Sequence, residues 1–404
     1  MIDQFFVYPR VQARLRKGVL GGHIDGFAAA QQGRGYLRSS LRFQVRLVAQ
    51  LGQWLAARRL SVQDVDESCI ERFLRHRKRR RHRRANASVL RDLLSHLRSS
   101  RVIGPVTTKR ATPQAVQLRS YDEYLHERRL ARSTRDNYER VAREFLAETD
   151  RRLAALTADD ITKFVFRHAR RHPRSAQFVT TGLRSFLRYL RLRDMIRIDL
   201  AAAVPSVASR RFEQLPAFLE RDEVKRLLRS ATPRMGGSHR DHAILLLLVR
   251  LGLRAGEVAS LTLGDLDWDR GEITVRGKSG HHTLPLPREV GEIVARYLRH
   301  ERPPCETRVV FVRRCAPHEG FAHSLAVSGV VDRALKRSGL HPAHRGAHLL
   351  RHTAATLMLR GAATLAEIGD VLRHRRTQTT AIYAHVDVTA MRAVALPWPR
   401  GARS

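Results

Sequence analysis

The sequence predicts a multidomain chain in which all-α modules fill the N-terminal half and a mixed α+β domain follows, mainly helical with a small antiparallel sheet. Three observations predict it. At 404 residues the chain exceeds one ordinary hydrophobic core, so two or three domains are expected. Through the first 205 residues apolar positions recur at spacings of three and four, with almost no β-branched alternation, which is the pattern of helices. Farther on, GEITVRG and HHTLPLP alternate in strand fashion around the turn Lys278-Ser279-Gly280, so residues 271–288 read as a β-hairpin.

The helical half holds an internal match. LRDLLSHLRSSRVI, from Leu90 to Ile103, aligns without gaps on LRSFLRYLRLRDMI, from Leu183 to Ile196. Leu90, Leu94, Leu97 and Ile103 fall on Leu183, Leu187, Leu190 and Ile196, which keeps one apolar face at an offset of 93 residues. ERFLRH, ending at His76, parallels KFVFRH, ending at His168. Two copies of a small helical module are therefore expected, although any two amphipathic helices rich in Leu and Arg look alike. Breaks in the periodicity near Gly104–Pro113 and Ala203–Pro216 mark linkers. The expected domains are 1–110, 111–205 and 206–398, with a tail at 399–404. Within the third, helical patterns cover about Arg288–His300, Leu325–Ser338, His348–Arg360 and Leu365–Arg373.

Charge points to the partner. The formal net charge is +37 and the isoelectric point about 11.6, with 75 cationic residues against 38 carboxylates. A GC-rich coding sequence explains arginine over lysine but not cations over carboxylates, so a polyanion is the expected partner, nucleic acid being the commonest. RHRKRRRHRR, from Arg75 to Arg84, and RHARRHPR, from Arg167 to Arg174, are runs whose members repel one another unless phosphates neutralise them. Arg77, Lys78, Arg79, Arg80, Arg81, Arg171 and Arg174 are the candidate DNA-backbone contacts, giving affinity rather than sequence choice. Cys69, Cys305 and Cys315 form no CxxC, which argues against disulfide frameworks and cysteine-zinc sites. With no signal-peptide pattern in MIDQFFVYPR and no apolar run near twenty residues, a cytoplasmic protein without membrane contact is expected.

Between Arg254 and Tyr383 the chain sets out groups suited to opening a phosphodiester. Arg254 in LGLRAGEVASL and Arg351 in HLLRHTAAT are candidate phosphate clamps, since a guanidinium fork bonds two non-bridging oxygens at once. Lys278 is one of only 7 lysines, and an ammonium can give up its proton where a guanidinium cannot. His348, three residues before Arg351 on one helix face, and His374 can donate to phosphate oxygens or move a proton. The pair His348 and His352 has metal-ligand spacing, but Leu349 stands where the zinc hydrolase motif has Glu, so no metal is expected. His281, His282, His341 and His344 read as polar surface. Tyr383, in TTAIYAHVD, is the candidate nucleophile and at its usual pKa of about 10 would need activation by nearby cations and a base.

Taken together, LGLRAGE, RGKSG, HLLR, RH and IYAHVD resemble the motifs of the tyrosine recombinase, or phage integrase, family in order and interval. The resemblance runs over about residues 115–395, and LARSTRDNYERVAREFL is similar to the first helix of the family's core-binding domain. It implies that Tyr383 attacks the scissile phosphate to form a 3′-phosphotyrosyl link, with Lys278 protonating the leaving 5′ oxygen. Arg254, Arg351 and His374 would stabilise the phosphorane, and His348 would assist the proton at the nucleophile. Neither cofactor, metal nor ATP is implied. The expected assembly is a homotetramer on two DNA sites, or a hetero-assembly with related recombinases, and a mobile-element integrase is favoured over a chromosome-resolving enzyme. Val388, Met391, Val394 and Leu396 of the tail would pack on a neighbouring subunit or on the chain's own domain. One departure is Arg373, where the family has Gly; if that turn needs a positive φ, a side chain there costs about 1 kcal/mol. Type IB topoisomerase chemistry and a non-cleaving DNA-binding partner remain alternatives at this point.

Overall fold

In a computed structural model of the chain, the structure describes residues 1–77, 83–105, 112–149, 153–171, 175–206, 217–277, 280–374, 380 and 382–383. Of the candidate site residues, Lys78, Arg79, Arg80, Arg81, Arg174 and Lys278 lie outside the described residues, as does the tail after Tyr383. The described chain is mostly helical, with one small sheet of three antiparallel strands.

Helices α1 (Pro9–Arg16), α2 (Ile24–Gly33), α3 (Arg38–Ala56), α4 (Glu67–His76) and α5 (Arg83–Ser99) enclose a first core. Leu41, Val45, Val48, Leu51 and Leu55 of α3 are buried there with Phe27, Phe73, Leu90, Leu94 and Leu97. Asp66 starts α4 by accepting from the Cys69 N–H at 2.6 Å, which satisfies one of the donors that a helix N-terminus leaves free. A second core forms among α6 (Pro113–Glu127), α7 (Arg132–Glu148), α8 (Ala158–Arg171) and α9 (Ala176–Leu192). Tyr121, Phe145, Phe186 and Tyr189 fill it, with the rings of Tyr121 and Phe186 edge to face at 5.0 Å. Residues 106–213 form one compact unit, and residues 1–105 with 214–404 form the other.

The two helical bundles repeat local geometry as well as pattern. Leu90, Leu94, Leu97 and Ile103 are buried, and so are Leu183, Leu187, Leu190 and Ile196. Past α5, Arg101 turns left-handed at φ 54°; past α9, Asp194 does so at φ 53°. Gly35 after α2 and Arg129 after α6 are left-handed too, at φ 84° and 55°, each N–H bonding back three residues, to Gln32 and His126. Ser61 and Thr157 are capped alike by Asp64 and Asp160.

Gly35 has a second constraint that Arg129 lacks. A Cβ there would lie 2.3 Å from the ring of His318, so a side chain at this position would have to displace that ring, whereas the left-handed turn alone accepts arginine at Arg129. Around it Arg34 pairs with Asp92 and Glu319 at 3.0 and 3.2 Å, and its carbonyl accepts from the His318 N–H at 3.3 Å.

The C-terminal part is built around α11 (His239–Arg250), preceded by α10 (Arg221–Ser230). Its stretch Ala243–Leu248 is wholly buried, and each Leu or Ile removed from water contributes about 1.5–3 kcal/mol. Around it lie α12 (Ala255–Ser260), α13 (Arg288–His300), α14 (Leu325–Arg337) and α15 (Ala347–Arg360), with α16 (Leu365–Val371) against α15. The strands are β1 (Leu266–Asp267), β2 (Glu272–Gly277) and β3 (Gly280–Pro285), in that order across the sheet. Ile273 pairs with both Leu266 and Leu284, and Gly277 faces Gly280. The hairpin expected over 271–288 is therefore present, with β1 as an added strand that two residues of pattern could not signal. No helix among the described residues is long and apolar enough to cross a membrane.

Candidate active site

Four short segments meet at one place. The first is the turn after α11. Gly252 at φ 57° reverses the chain, a conformation that favours glycine, and a Cβ there would meet the buried Leu372 side chain at 2.4 Å. Arg254 then starts α12 with its backbone N–H donating to Glu257 Oε2 at 2.9 Å. Its side chain donates to Glu257 Oε1 at 2.7 Å and to the carbonyl of Arg373 at 3.1 Å.

The second segment is α15, which carries His348, Arg351 and His352. Arg351 is buried, and its guanidinium donates to two main-chain carbonyls, Gly252 and Leu372. No carboxylate pairs with it among the described residues. Burial, with repulsion from Arg254 and Arg373, pushes its pKa down to about 10. At neutral pH it is still a cation, with Glu257 acting on it only from a distance.

The third segment, Arg373–His374, follows α16. Arg373 is left-handed at φ 55°, so the turn does adopt the conformation that favours glycine. Its side chain is 1% exposed and donates to Glu257 Oε2 at 2.9 Å. Glu257 therefore serves two arginines. Burial alone would raise its pKa, but the Arg254 N–H and the charges of Arg373 and Arg254 outweigh that and hold it below the usual carboxylate range. His374 Nδ1 lies 2.8 Å from Thr380 Oγ1, and burial followed by repulsion from Arg351 and Arg254 lowers its pKa to about 4.

Tyr383 is the fourth. Its ring is buried with Ala355, Ile368 and Leu372 and stacks at 9° on His374, centroids 6.4 Å apart. Its hydroxyl sits 2.9 Å from Nδ1 of His352. Burial pushes the phenol up to about 12 against the pull of Arg351. His352 is pushed down to about 4 by burial and then by His348 and Arg351, so it is neutral at physiological pH.

Arg254, Arg351, His374 and Tyr383 thus come together, with His348 one helical turn from His352 and ring centroids 6.4 Å apart. The structure places His352, rather than His348, on the Tyr383 hydroxyl, because the residue facing Tyr383 lies one turn farther along α15. A Cβ on Gly277, the last residue of β2, would sit 2.9 Å from Glu257 Oε1, so β2 ends against this carboxylate. Arg77 is half-buried and Arg171 exposed. His281, His341 and His344 are exposed, and His282 is partly buried.

Sequence reasoning missed Glu257, His352 and Thr380. Glu257 had a signal, the three-residue spacing from Arg254 that suits a helix start. His352 was weighed only as a metal ligand.

A model of the Phage integrase family matches residues 217–389. The chain is 42% identical over 395 residues to y4rA of Sinorhizobium fredii, a protein named as an integrase/recombinase, covering 96% of each chain. It is 30% identical over 309 residues to the tyrosine recombinase XerD of Mycobacterium tuberculosis, covering 69% of this chain and 96% of that one. In fold it is similar to a lambda integrase tetramer bound to a Holliday junction, with TM-score 0.52, 17% identity and coverage of 76% and 87%. The chain belongs to the phage integrase family and is a tyrosine recombinase, an enzyme of site-specific DNA recombination.

Proposed function

We propose that Tyr383 is the nucleophile that cuts DNA through a 3′-phosphotyrosyl link, and that Arg254, Lys278, His348, Arg351 and His374 act with it. The reading rests on the convergence of Arg254, Arg351, His374 and Tyr383 from four separated segments onto one arginine-rich site. Arg254 and Arg351 supply fixed donors for the non-bridging oxygens, already oriented by Glu257 and by main-chain carbonyls, so little reorganisation is needed as charge develops. His352 joins the set as the acceptor of the Tyr383 proton. Lys278 protonates the departing 5′ oxygen, and the phosphotyrosine keeps the bond energy, so rejoining draws on neither ATP nor a metal.

In the arrangement described here the nucleophile is buried and un-ionised. Cleavage therefore requires that duplex DNA bring a phosphate between the two arginines and that the hydroxyl come to meet it. Double-stranded DNA is the partner, and two sites are joined by a homotetramer or by a hetero-assembly with related recombinases. The lambda integrase likeness, a tetramer on a Holliday junction, supports that assembly. We propose residues 1–110, 111–205 and 206–398 as the domains, a cytoplasmic location, and a mobile-element integrase as the biological type. The test is a nicked suicide duplex: the protein should form a covalent DNA adduct that Tyr383→Phe abolishes, and an adduct surviving that change would overturn the assignment.

A further inference from the structure

We infer that the solvent face of α3 is a second DNA-backbone contact, built from Arg38, Arg42, Arg46 and Arg77. Arg38, Arg42 and Arg46 are exposed at successive four-residue steps, which places them in one row along the helix. Gln50 continues the row and accepts from Arg77 Nη1 at 2.6 Å. Helix α3 contains no carboxylate. Among the described residues none of the four arginines pairs with a carboxylate, whereas Arg16, Arg34 and Arg98 of the same bundle all do.

Three of the four guanidiniums are nonetheless held in place. Arg42 and Arg46 lie over the ring of Phe6 at 5.7 and 5.5 Å, and Arg77 lies over Phe73 at 5.8 Å. Arg42 Nε also donates to the Phe5 carbonyl at 2.8 Å. Aromatic rings and main chain therefore hold guanidiniums whose charge no acid offsets. From Arg38 to Gln50 the row spans roughly 18 Å at 1.5 Å per residue, against duplex DNA carrying one charge per about 1.7 Å of axis. The first bundle carries 22 cations and 7 carboxylates over residues 1–105.

This inference rests on DNA as the partner but not on the chemistry. Binding of a non-specific duplex, read by fluorescence anisotropy across salt concentrations, tests it with Arg38→Gln, Arg42→Gln and Arg46→Gln combined. Affinity should fall about 10- to 100-fold, and the salt slope should flatten by about 2–3. A combined variant that is folded by circular dichroism, with affinity and slope within two-fold of the parent, overturns the inference. A parent that binds duplex yet forms no adduct overturns the catalytic proposal and leaves this one standing.

A separate observation assigns Arg373 as a positioning residue for Arg254. Arg373 reaches Arg254 twice, through its own carbonyl and through Glu257. Its charge answers that of Glu257, so the carboxylate orients Arg254 without cancelling it, and Arg254 remains available to a phosphate. The left-handed turn, which glycine would adopt without strain, is the cost of seating that charge. In single-turnover cleavage of the suicide duplex, Arg373→Met should be about 10- to 100-fold slower with DNA affinity little changed, and Arg373→Lys should recover most of the rate. Equal cleavage by the Met and Lys variants overturns the assignment. Absence of any adduct from the parent overturns the catalytic reading, and this role with it.

Discussion

The Tyr383 hydroxyl and His352 Nδ1 are 2.9 Å apart, and the phenol has its pKa raised to about 12 while the imidazole's is lowered to about 4. Burial drives both shifts, since each group resists the charge it would carry in catalysis. The pair is a neutral hydrogen bond at physiological pH. His352→Ala should leave the buried hydroxyl without its partner, costing about 1–3 kcal/mol in stability. It should also slow adduct formation by about 10²- to 10⁴-fold. Thermal melting and single-turnover cleavage read the two effects, and an unchanged cleavage rate would remove His352 from the site.

The same shifts set a pH dependence. His352 and His374 bind protons only near pH 4 when folded but near 6.5 when unfolded. Between those values the unfolded chain holds more protons, so stability is complete above about pH 6.5 and declines as pH falls toward 4. Each histidine contributes a slope of up to about 1.4 kcal/mol per pH unit, less where solvent screens it. Denaturant melts from pH 7.5 to 4.5 should show the loss, and His352→Gln should make the profile shallower. A profile identical in the variant would contradict the burial of this imidazole.

Glu257 joins two arginines in a site that is otherwise positive. Glu257→Gln leaves Arg373 buried without its counter-charge, and breaking a buried pair costs about 3–5 kcal/mol. Arg254 also loses its anchor. The variant should melt well below the parent and cleave more slowly even where it is folded. A melting temperature within a degree or two of the parent would show that the carboxylate is dispensable.

Gly35 and Arg129 share a backbone conformation, yet only Gly35 meets another surface. Gly35→Val should destabilise the protein by at least about 1 kcal/mol through backbone strain and the clash with His318. Arg129→Gly, by contrast, should shift stability by less than about 1 kcal/mol, since relief of strain offsets added chain entropy. Hydrogen exchange around residues 313–319 should rise in Gly35→Val alone. Equal exchange in both variants would mean that the contact does not hold.

Local patterning was enough to place most elements. Helical periodicity located α13–α16 to within a residue or two, because each buries one continuous stripe, and the alternation around residues 272–285 located the hairpin. The site's residue types were legible as well: arginine, histidine and tyrosine at family spacings suit phosphoryl transfer whatever their three-dimensional partners. Tertiary structure alone decided those partners. Which of two histidines one turn apart meets Tyr383 depends on how α15 is rotated against the segment after α16, and no local pattern encodes that angle. That Arg373 is seated on Glu257 depends on a contact across 116 residues. Sequence periodicity reports which face of an element is buried, whereas the pairing of charges within a buried site is fixed only once separate elements have packed.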